Sequence, residues 1–309
     1  MTIPKQVFVR EVGPREGLQT SSKVVATEDK LKLIDFLSHS GVKEIEITSM
    51  VRPDRVPQMA DSDELIARFR PAPGVRYTAL YLNRKGFARA EASGRLMNEG
   101  WIYSATSDTF LSKNANTSHR DIVTSLSEWL SDFRAAGKAQ HGVMISTAFG
   151  CAYEGSAVRD RLLPVAQELV DALSQQGSRP KELSLADTVG HGTPELVRKA
   201  VGDLKARFPD IRISLHLHDT RGTGIANAYA GLLEGADCFD ASVGGAGGCP
   251  FTPGAAGNIA TEDLAYMCEE LGASTGISLD SYVQGAKFLE QVLGTRLPGK
   301  YYRTARSRA

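Results

Sequence analysis

Short β-branched runs and amphipathic helical stretches alternate along most of the chain. Val7-Phe-Val-Arg-Glu-Val-Gly13 is a β-branched run closed by Gly-Pro, which predicts a strand ending in a turn. Thr27 then offers an N-cap, Glu28 and Asp29 suit the positive end of a helix, and Leu31, Ile34 and Leu37 make an apolar stripe that Gly41 ends. Lys43-Glu-Ile-Glu-Ile-Thr-Ser49 reads as the next strand and completes a β-α-β unit. Strand-like runs recur at 77–82, 101–106, 142–149, 182–187, 211–218 and 238–243, each separated from the next by a helical pattern. With the first two they make about eight β-α units, the number that closes a (β/α)8 TIM barrel. An open sheet would also alternate, but no Gly-x-Gly-x-x-Gly follows the first strand to mark a dinucleotide site. Beyond Glu262, helical patterns run through Leu271 and from Leu279 to Leu293. The expected organisation is an α/β barrel catalytic domain over 1–272 and a short C-terminal helical extension over 273–309, packed on or beside it. The basic tail, 300–308, reads more readily as a frayed, solvated terminus than as a phosphate site.

Composition narrows the class of partner. With 36 basic and 36 acidic residues the formal net charge is zero, and the charges are spread rather than blocked. That argues against nucleic acid or a membrane surface and leaves a small molecule. Cys151, Cys238, Cys249 and Cys268 show neither paired zinc spacing nor a disulfide framework, so they read as reduced thiols, and the cytoplasm fits. The first strand starts near Gln6, which leaves no room for a signal or transit peptide, and no apolar run reaches the roughly 18 residues of a membrane span.

Candidate chemistry centres on Ile213-Ser-Leu-His-Leu-His-Asp-Thr220. Side chains alternate along a strand, so His216 and His218 project from one face, on the order of 6.6 Å apart along the backbone, which suits one metal ion. Read alone, the pair is as consistent with two satisfied core histidines. Polar residues also cluster at the carboxyl ends of other strands: Arg15-Glu16, Glu46 with Thr48 and Ser49, Asp187-Thr188, and Asp219. Each has a structural reading, Glu46 as the salt-bridge partner of a barrel arginine among them. Together they are hard to explain as packing, because a core penalises isolated carboxylates. A carboxylate, two imidazoles and an amide oxygen form a mixed hard donor set that suits Mg²⁺ or Mn²⁺. After the eighth strand lies Gly244-Gly-Ala-Gly-Gly-Cys-Pro250, whose composition fits a segment that closes over a substrate.

At these residues the chain resembles the hydroxymethylglutaryl-coenzyme A lyases, within the larger group of metal-dependent barrel lyases and Claisen-type synthases. Glu11-Val-Gly-Pro-Arg-Glu-Gly-Leu-Gln19 matches all but one position of the family's opening motif. The likeness continues through Ile45-Glu-Ile-Thr-Ser49, Val56-Pro-Gln-Met59, Lys113-Asn114, Gly150-Cys-Ala-Tyr-Glu-Gly155, Ser184-Leu-Ala-Asp-Thr188, His216-Leu-His-Asp-Thr220, Gly247-Gly-Cys-Pro250 and Gly257-Asn-Ile-Ala-Thr-Glu-Asp263. It covers nearly the whole chain in order. The resemblance implies a divalent ion held by Glu16, His216, His218 and Asn258. It gives Arg15 to the thioester enolate and Cys249 to proton transfer, and puts Glu46 and Asp187, with His216, in the catalytic network. It further implies an acyl-CoA substrate and a homodimer or higher homo-oligomer. Gln19, Ser49, Thr188 and Arg221 are the candidate acyl-binding positions, and Arg84, Lys85, Lys113 and Asn114 those for the coenzyme A phosphates, with solvated surface residues as the competing reading.

The chain departs from the family pattern near this site. Glu16 stands where aspartate is expected, Ala186 where glycine is, Arg221 where tyrosine is, and Leu82 where proline precedes Asn83. None removes a ligand type, and together they point to a reshaped pocket. Arg221 could receive an additional carboxylate, replace a stacked ring, or be a plain surface arginine. A Claisen-type synthase would carry Asn-Asp after the two histidines, whereas this chain has Asp219-Thr220. A barrel that has lost catalysis and serves as a binding protein would take up no divalent ion, which a metal titration reads directly.

Overall fold

The structure, a computed structural model, describes residues 3–249 and 252–305, with the side chains of 249 and 252–255 outside the description. Eight strands, β1 (Phe8–Glu11), β2 (Glu44–Ser49), β3 (Arg76–Leu80), β4 (Gly100–Ala105), β5 (Gln140–Ser146), β6 (Glu182–Ala186), β7 (Arg212–His216) and β8 (Cys238–Ala241), form one sheet. Its order is β3-β2-β1-β8-β7-β6-β5-β4, the cyclic succession of a (β/α)8 barrel with β3 and β4 at its ends. Helices α1 (Thr27–Ser38), α2 (Ser62–Arg68), α3 (Arg84–Ala92), α4 (Asp108–Ala115), α5 (His119–Thr124), α6 (Leu126–Ala135), α7 (Leu162–Gln175), α8 (Pro194–Arg207), α9 (Gly224–Leu233) and α10 (Thr261–Glu270) fill the connections, so the fold is the TIM-barrel class that the alternation predicts. A two-stranded antiparallel ribbon, Gly248–Cys249 with Thr252–Ala256, interrupts the path from β8 to α10. Helices α11 (Leu279–Leu293) and α12 (Tyr301–Thr304) end the described chain. Among the described residues no helix is long and apolar enough to cross a membrane.

Contacts divide the chain into two compact units, one built on Glu99–Cys238 and the other on Lys5–Asn98 with the chain from Phe239 onward. In the second unit, β1, β2 and β3 pair in parallel and bury Val9, Ile45, Ile47, Tyr77 and Ala79. The apolar stripe of α1 is Leu33, Ile34 and Leu37, joined by Lys30, while Leu31 is only half-buried. Lys30 belongs to the buried face because its ammonium reaches Asp61 Oδ1 (2.6 Å) and the Gln58 carbonyl (2.5 Å). Thr27 is not the N-cap: Ala26 is, and the Thr27 hydroxyl donates instead to Asp61 Oδ2 at 2.8 Å. The free edge of β3 is met before β4 begins, by Met97 N–H on the Tyr77 carbonyl (2.8 Å) and by Asn98 Oδ1 accepting from Ala79 N–H (2.9 Å). Helix α11 packs on α1. The start of the basic tail is docked: the N–H groups of Lys300 and Tyr301 donate to the Asp263 carboxylate, and the Tyr302 hydroxyl to Glu290, while Arg303 and Thr304 are exposed. The expectation of a frayed end fails there because backbone donors find a carboxylate; 306–309 lie outside the described residues.

In the first unit, β4 to β7 run parallel, with one register shift between Gly100 and Trp101 at the start of β4, and Val143, Ile145, Leu183, Leu185, Ile213 and Leu215 are fully enclosed. Helices α7, α8 and α9 present Leu169, Leu173, Val197, Val201 and Ala228 to this core. A strand buried on both faces reads as a continuous apolar run, broken here by the small hydroxyls of Ser184 and Ser214 within β6 and β7 and by Asp187, His216 and His218 where those strands end.

Candidate metal and active site

One half of the site grows from the end of β1. The chain there makes a single π-helical turn, Gly13–Gly17, with Pro14 at its start. The turn has no room to move: a Cβ on Gly13 would meet Glu11 Oε1 at 2.5 Å, and one on Gly17 would meet Ala246 at 2.9 Å. Arg15 projects from it, its side chain 11% exposed, donating through Nε to Glu46 on β2 and lying 2.9 Å through Nη1 from Glu16 Oε2. Burial pushes the Glu46 carboxyl above its ordinary range, opposed mainly by the Arg15 charge.

The other half forms at the ends of β6 and β7. His216 and His218 are both buried, and their Nε2 atoms lie 3.3 Å apart. Asp187 is fully buried and accepts the N–H groups of His191 (2.8 Å) and Gly192 (2.9 Å), which folds the loop 187–192 around it. Burial raises the Asp187 carboxyl while those two donors and His218 oppose the shift. Thr188 Oγ1 accepts from Thr147 N–H at 2.8 Å, pinning a non-glycine residue held at φ 55° beyond β5. Arg221 donates through Nη1 to the Val189 and Gly190 carbonyls, 2.8 Å each.

Glu16, His216 and His218 form the metal-competent group among the described residues, with candidate ligand atoms all within 4.8 Å of one another. The donor set fits a divalent ion on two observations. Two imidazole nitrogens each about 2.1 Å from one ion at a right angle would stand about 3 Å apart, close to the spacing seen. Asn258, the fourth residue expected in the set, is 1% exposed and its Oδ1 is buried without a hydrogen-bond partner, while Nδ2 points to the Ala246 carbonyl at 3.4 Å. A buried orphan acceptor is costly unless something electropositive meets it.

The remaining candidates scatter. Ser49 donates to Gln19 Oε1 at 3.1 Å, so these two cluster beside β2. Arg84 and Lys85 open α3 on exposed backbone, after Asn83, whose side chain caps Gly86 N–H at 2.8 Å. Lys113 lies 4.3 Å from the centre of the Tyr153 ring, and Asn114 turns its Nδ2 back to the Phe110 carbonyl. The Cys249 side chain is outside the described residues.

Buried charge underneath the site escaped sequence reasoning. Glu11 is fully enclosed and accepts from Gly13 N–H, Val243 N–H and the Thr261 hydroxyl, so one carboxyl ties the Arg15 turn to the segment after β8. Glu262 does the same for Gly244 N–H at 3.0 Å. Burial lifts Glu11 to about 7 and Glu262 to about 8. Arg10 on β1 donates to Asp240 on β8 at 2.7 Å. The signal available was Arg10-Glu11, two charges inside an otherwise apolar strand.

Residues 6–289 match the HMGL-like family model. A 3-hydroxy-3-isohexenylglutaryl-CoA/hydroxymethylglutaryl-CoA lyase of Pseudomonas aeruginosa is 40% identical over 296 residues, 95% of each chain. The crystal structure of the HMG-CoA lyase from Bacillus subtilis has a TM-score of 0.90 to this fold at 38% identity, covering 98% of this chain and 99% of that one. An HMG-CoA lyase from Acinetobacter baumannii, solved in complex with coenzyme A and 3-methylmalate, has a TM-score of 0.86 at 33% identity, covering 100% and 98%.

Proposed function

The chain belongs to the HMGL-like family, and from that premise we propose that it is a carbon–carbon lyase cleaving a tertiary 3-hydroxyacyl-CoA of the hydroxymethylglutaryl type to acetyl-CoA and a keto acid. The observation that carries the reading is the convergence of Glu16, His216 and His218. With Asn258 they would hold a divalent ion, Mg²⁺ or Mn²⁺, which would supply Lewis acidity that eases loss of the tertiary hydroxyl's proton. His216 and Asp187, buried where β7 and β6 end, hold and move the hydroxyl proton.

As the bond between C2 and C3 breaks, its electron pair passes to the thioester and the hydroxyl carbon becomes the keto group. Negative charge develops on the thioester oxygen, and the preorganised Arg15 guanidinium, braced by Glu46 and Glu16, meets it there. Cys249 delivers a proton to the enolate carbon, and acetyl-CoA is complete. Gln19, Ser49 and Thr188 orient the acyl group, while Arg84, Lys85, Lys113 and Asn114 serve the coenzyme A phosphates. In the same reading the enzyme works in the cytoplasm as a homodimer or higher homo-oligomer, which light scattering checks.

The test is a panel of 3-hydroxy-3-alkylglutaryl-CoA thioesters scored for release of acetyl-CoA, with chelator and with Mg²⁺ or Mn²⁺ restored. Activity that chelation abolishes and either ion restores is the expected result. Full activity under a strong chelator, or none with any thioester, overturns it.

A further inference from the structure

Three cationic or titratable side chains that the mechanism leaves unused meet beside the ends of β5, β6 and β7. Arg159 donates through Nε to the Phe149 carbonyl at 2.8 Å. The next residue, Gly150, carries the His191 ring directly against its backbone: a Cβ there would lie 2.5 Å from His191 Nδ1. Arg221 holds the Val189 and Gly190 carbonyls, the two residues immediately before His191. Both guanidinium charges therefore act on one imidazole. Each is satisfied on one edge by neutral carbonyls, and neither is paired with a carboxylate among the described residues. The electrostatics agree: partial burial and then the Arg221 charge hold His191 below the ordinary histidine range, with Arg159 acting the same way and Asp187 opposing. Two guanidiniums gathered at one place, with only the buried Asp187 carboxyl acting against them on His191, favour an anion.

Resting on the lyase reading above, we infer that Arg159, His191 and Arg221 form an anion-binding subsite that receives a carboxylate on the 3-alkyl branch of the acyl group. The placement selects this anion. Arg221 lies three residues beyond His218, and His191 N–H is held by Asp187, so the subsite borders the reacting carbons. The phosphates of coenzyme A are removed from those carbons by the length of the pantetheine arm. Arg221 supplies a planar donor fork with its remaining edge, and such charge-assisted bonds discriminate strongly against a neutral group of the same size.

The experiment compares 3-hydroxy-3-(2-carboxyethyl)glutaryl-CoA with 3-hydroxy-3-propylglutaryl-CoA in the metal-loaded enzyme. The expected result is a preference in kcat/KM for the carboxylate-bearing substrate of about tenfold, falling toward unity in Arg221→Ala and Arg159→Ala and partly retained in Arg221→Lys. A loop that merely loosens lowers both substrates together and leaves the ratio intact. Equal rates in the native enzyme, or an unchanged ratio in the variants, overturns the proposal. So does a KM increase shared by both CoA thioesters but absent from their pantetheine analogues, which gives the arginines to the phosphates. If no thioester is cleaved the lyase reading fails by itself. Calorimetry with propane-1,2,3-tricarboxylate then still tests the subsite: binding that Arg221→Ala weakens supports it, and no binding to the native protein overturns it.

Discussion

Arg15 and Glu46 are joined by a hydrogen bond from the guanidinium Nε to a carboxylate that is itself largely buried, with Glu16 2.9 Å from the Nη1 on the same guanidinium. A flexible cation is thereby fixed before substrate arrives. Arg15→Lys keeps the charge but loses the planar fork, and Glu46→Gln keeps the shape and an acceptor but loses the charge that braces the guanidinium. Both are expected to lower kcat by at least about tenfold while KM moves by less than about threefold, because the contact matters most when charge develops on the enolate. Steady-state kinetics on the preferred thioester checks this, and an unchanged kcat in either variant removes Arg15 from the role.

Buried carboxyls under the site make stability depend on pH in an identifiable direction. Glu11 and Glu262 titrate near 7 and 8 in the folded chain against 4.5 for an ordinary glutamate, burial being the first cause. The folded state thus keeps protons that the unfolded chain has released. This contribution is fully present below about pH 4.5 and is lost as pH rises through 7 to 8. Glu262→Gln still accepts from Gly244 N–H but no longer titrates. Urea midpoints measured from pH 5 to 9 are expected to fall less steeply in the variant than in the native chain, and parallel curves refute the linkage.

The contrast between Glu11 and the strands around it shows what was legible in the sequence. The β-branched runs announced all eight strands, because burial on both faces demands apolar residues that no other element needs so densely. The residues grouped in the metal site were legible as types at fixed spacing and as matches to a family pattern. What stayed hidden were the polar groups whose burial depends on distant partners. Lys30 reads as solvent-facing until Asp61 and Gln58 are placed beside it, and Thr27 reads as a cap until Asp61 takes its hydroxyl. The start of the tail is basic in sequence, yet its docking comes from backbone N–H groups meeting Asp263, which composition does not encode.

Thiol chemistry should single out Cys249. Cys151, Cys238 and Cys268 are at most 1% exposed, and burial pushes the Cys268 thiol up to about 12, so none offers an accessible thiolate. Alkylation of the native enzyme is therefore expected to inactivate it with incorporation at one site, and substrate should protect. Peptide mapping identifies the residue. If Cys249→Ser is fully active and equally sensitive to the reagent, proton delivery belongs to another group.

The departure from the family pattern at Glu16 bears on the metal most directly. Glutamate adds one methylene to the expected aspartate, and Mg²⁺ tolerates little deviation from oxygen distances of about 2.0–2.1 Å. The extra length cannot be absorbed by a retreat of the turn, since Gly13 and Gly17 already sit against Glu11, Ser242, Val243 and Ala246 with no space for even a Cβ. The side chain must take it up, and it does so folded toward Arg15, with Oε2 2.9 Å from Nη1. Glu16→Asp would shorten the reach on the same rigid backbone and slacken that contact. Metal affinity should then fall, or the preference among substrates should change, and a displacement of order 1 Å between ion and guanidinium can cost roughly a hundredfold in rate. Calorimetric metal titration and the thioester panel measure both quantities on one variant. Strong hydroxymethylglutaryl-CoA cleavage by Glu16→Asp with native metal affinity and native selectivity would mean that the longer carboxylate is incidental to this site.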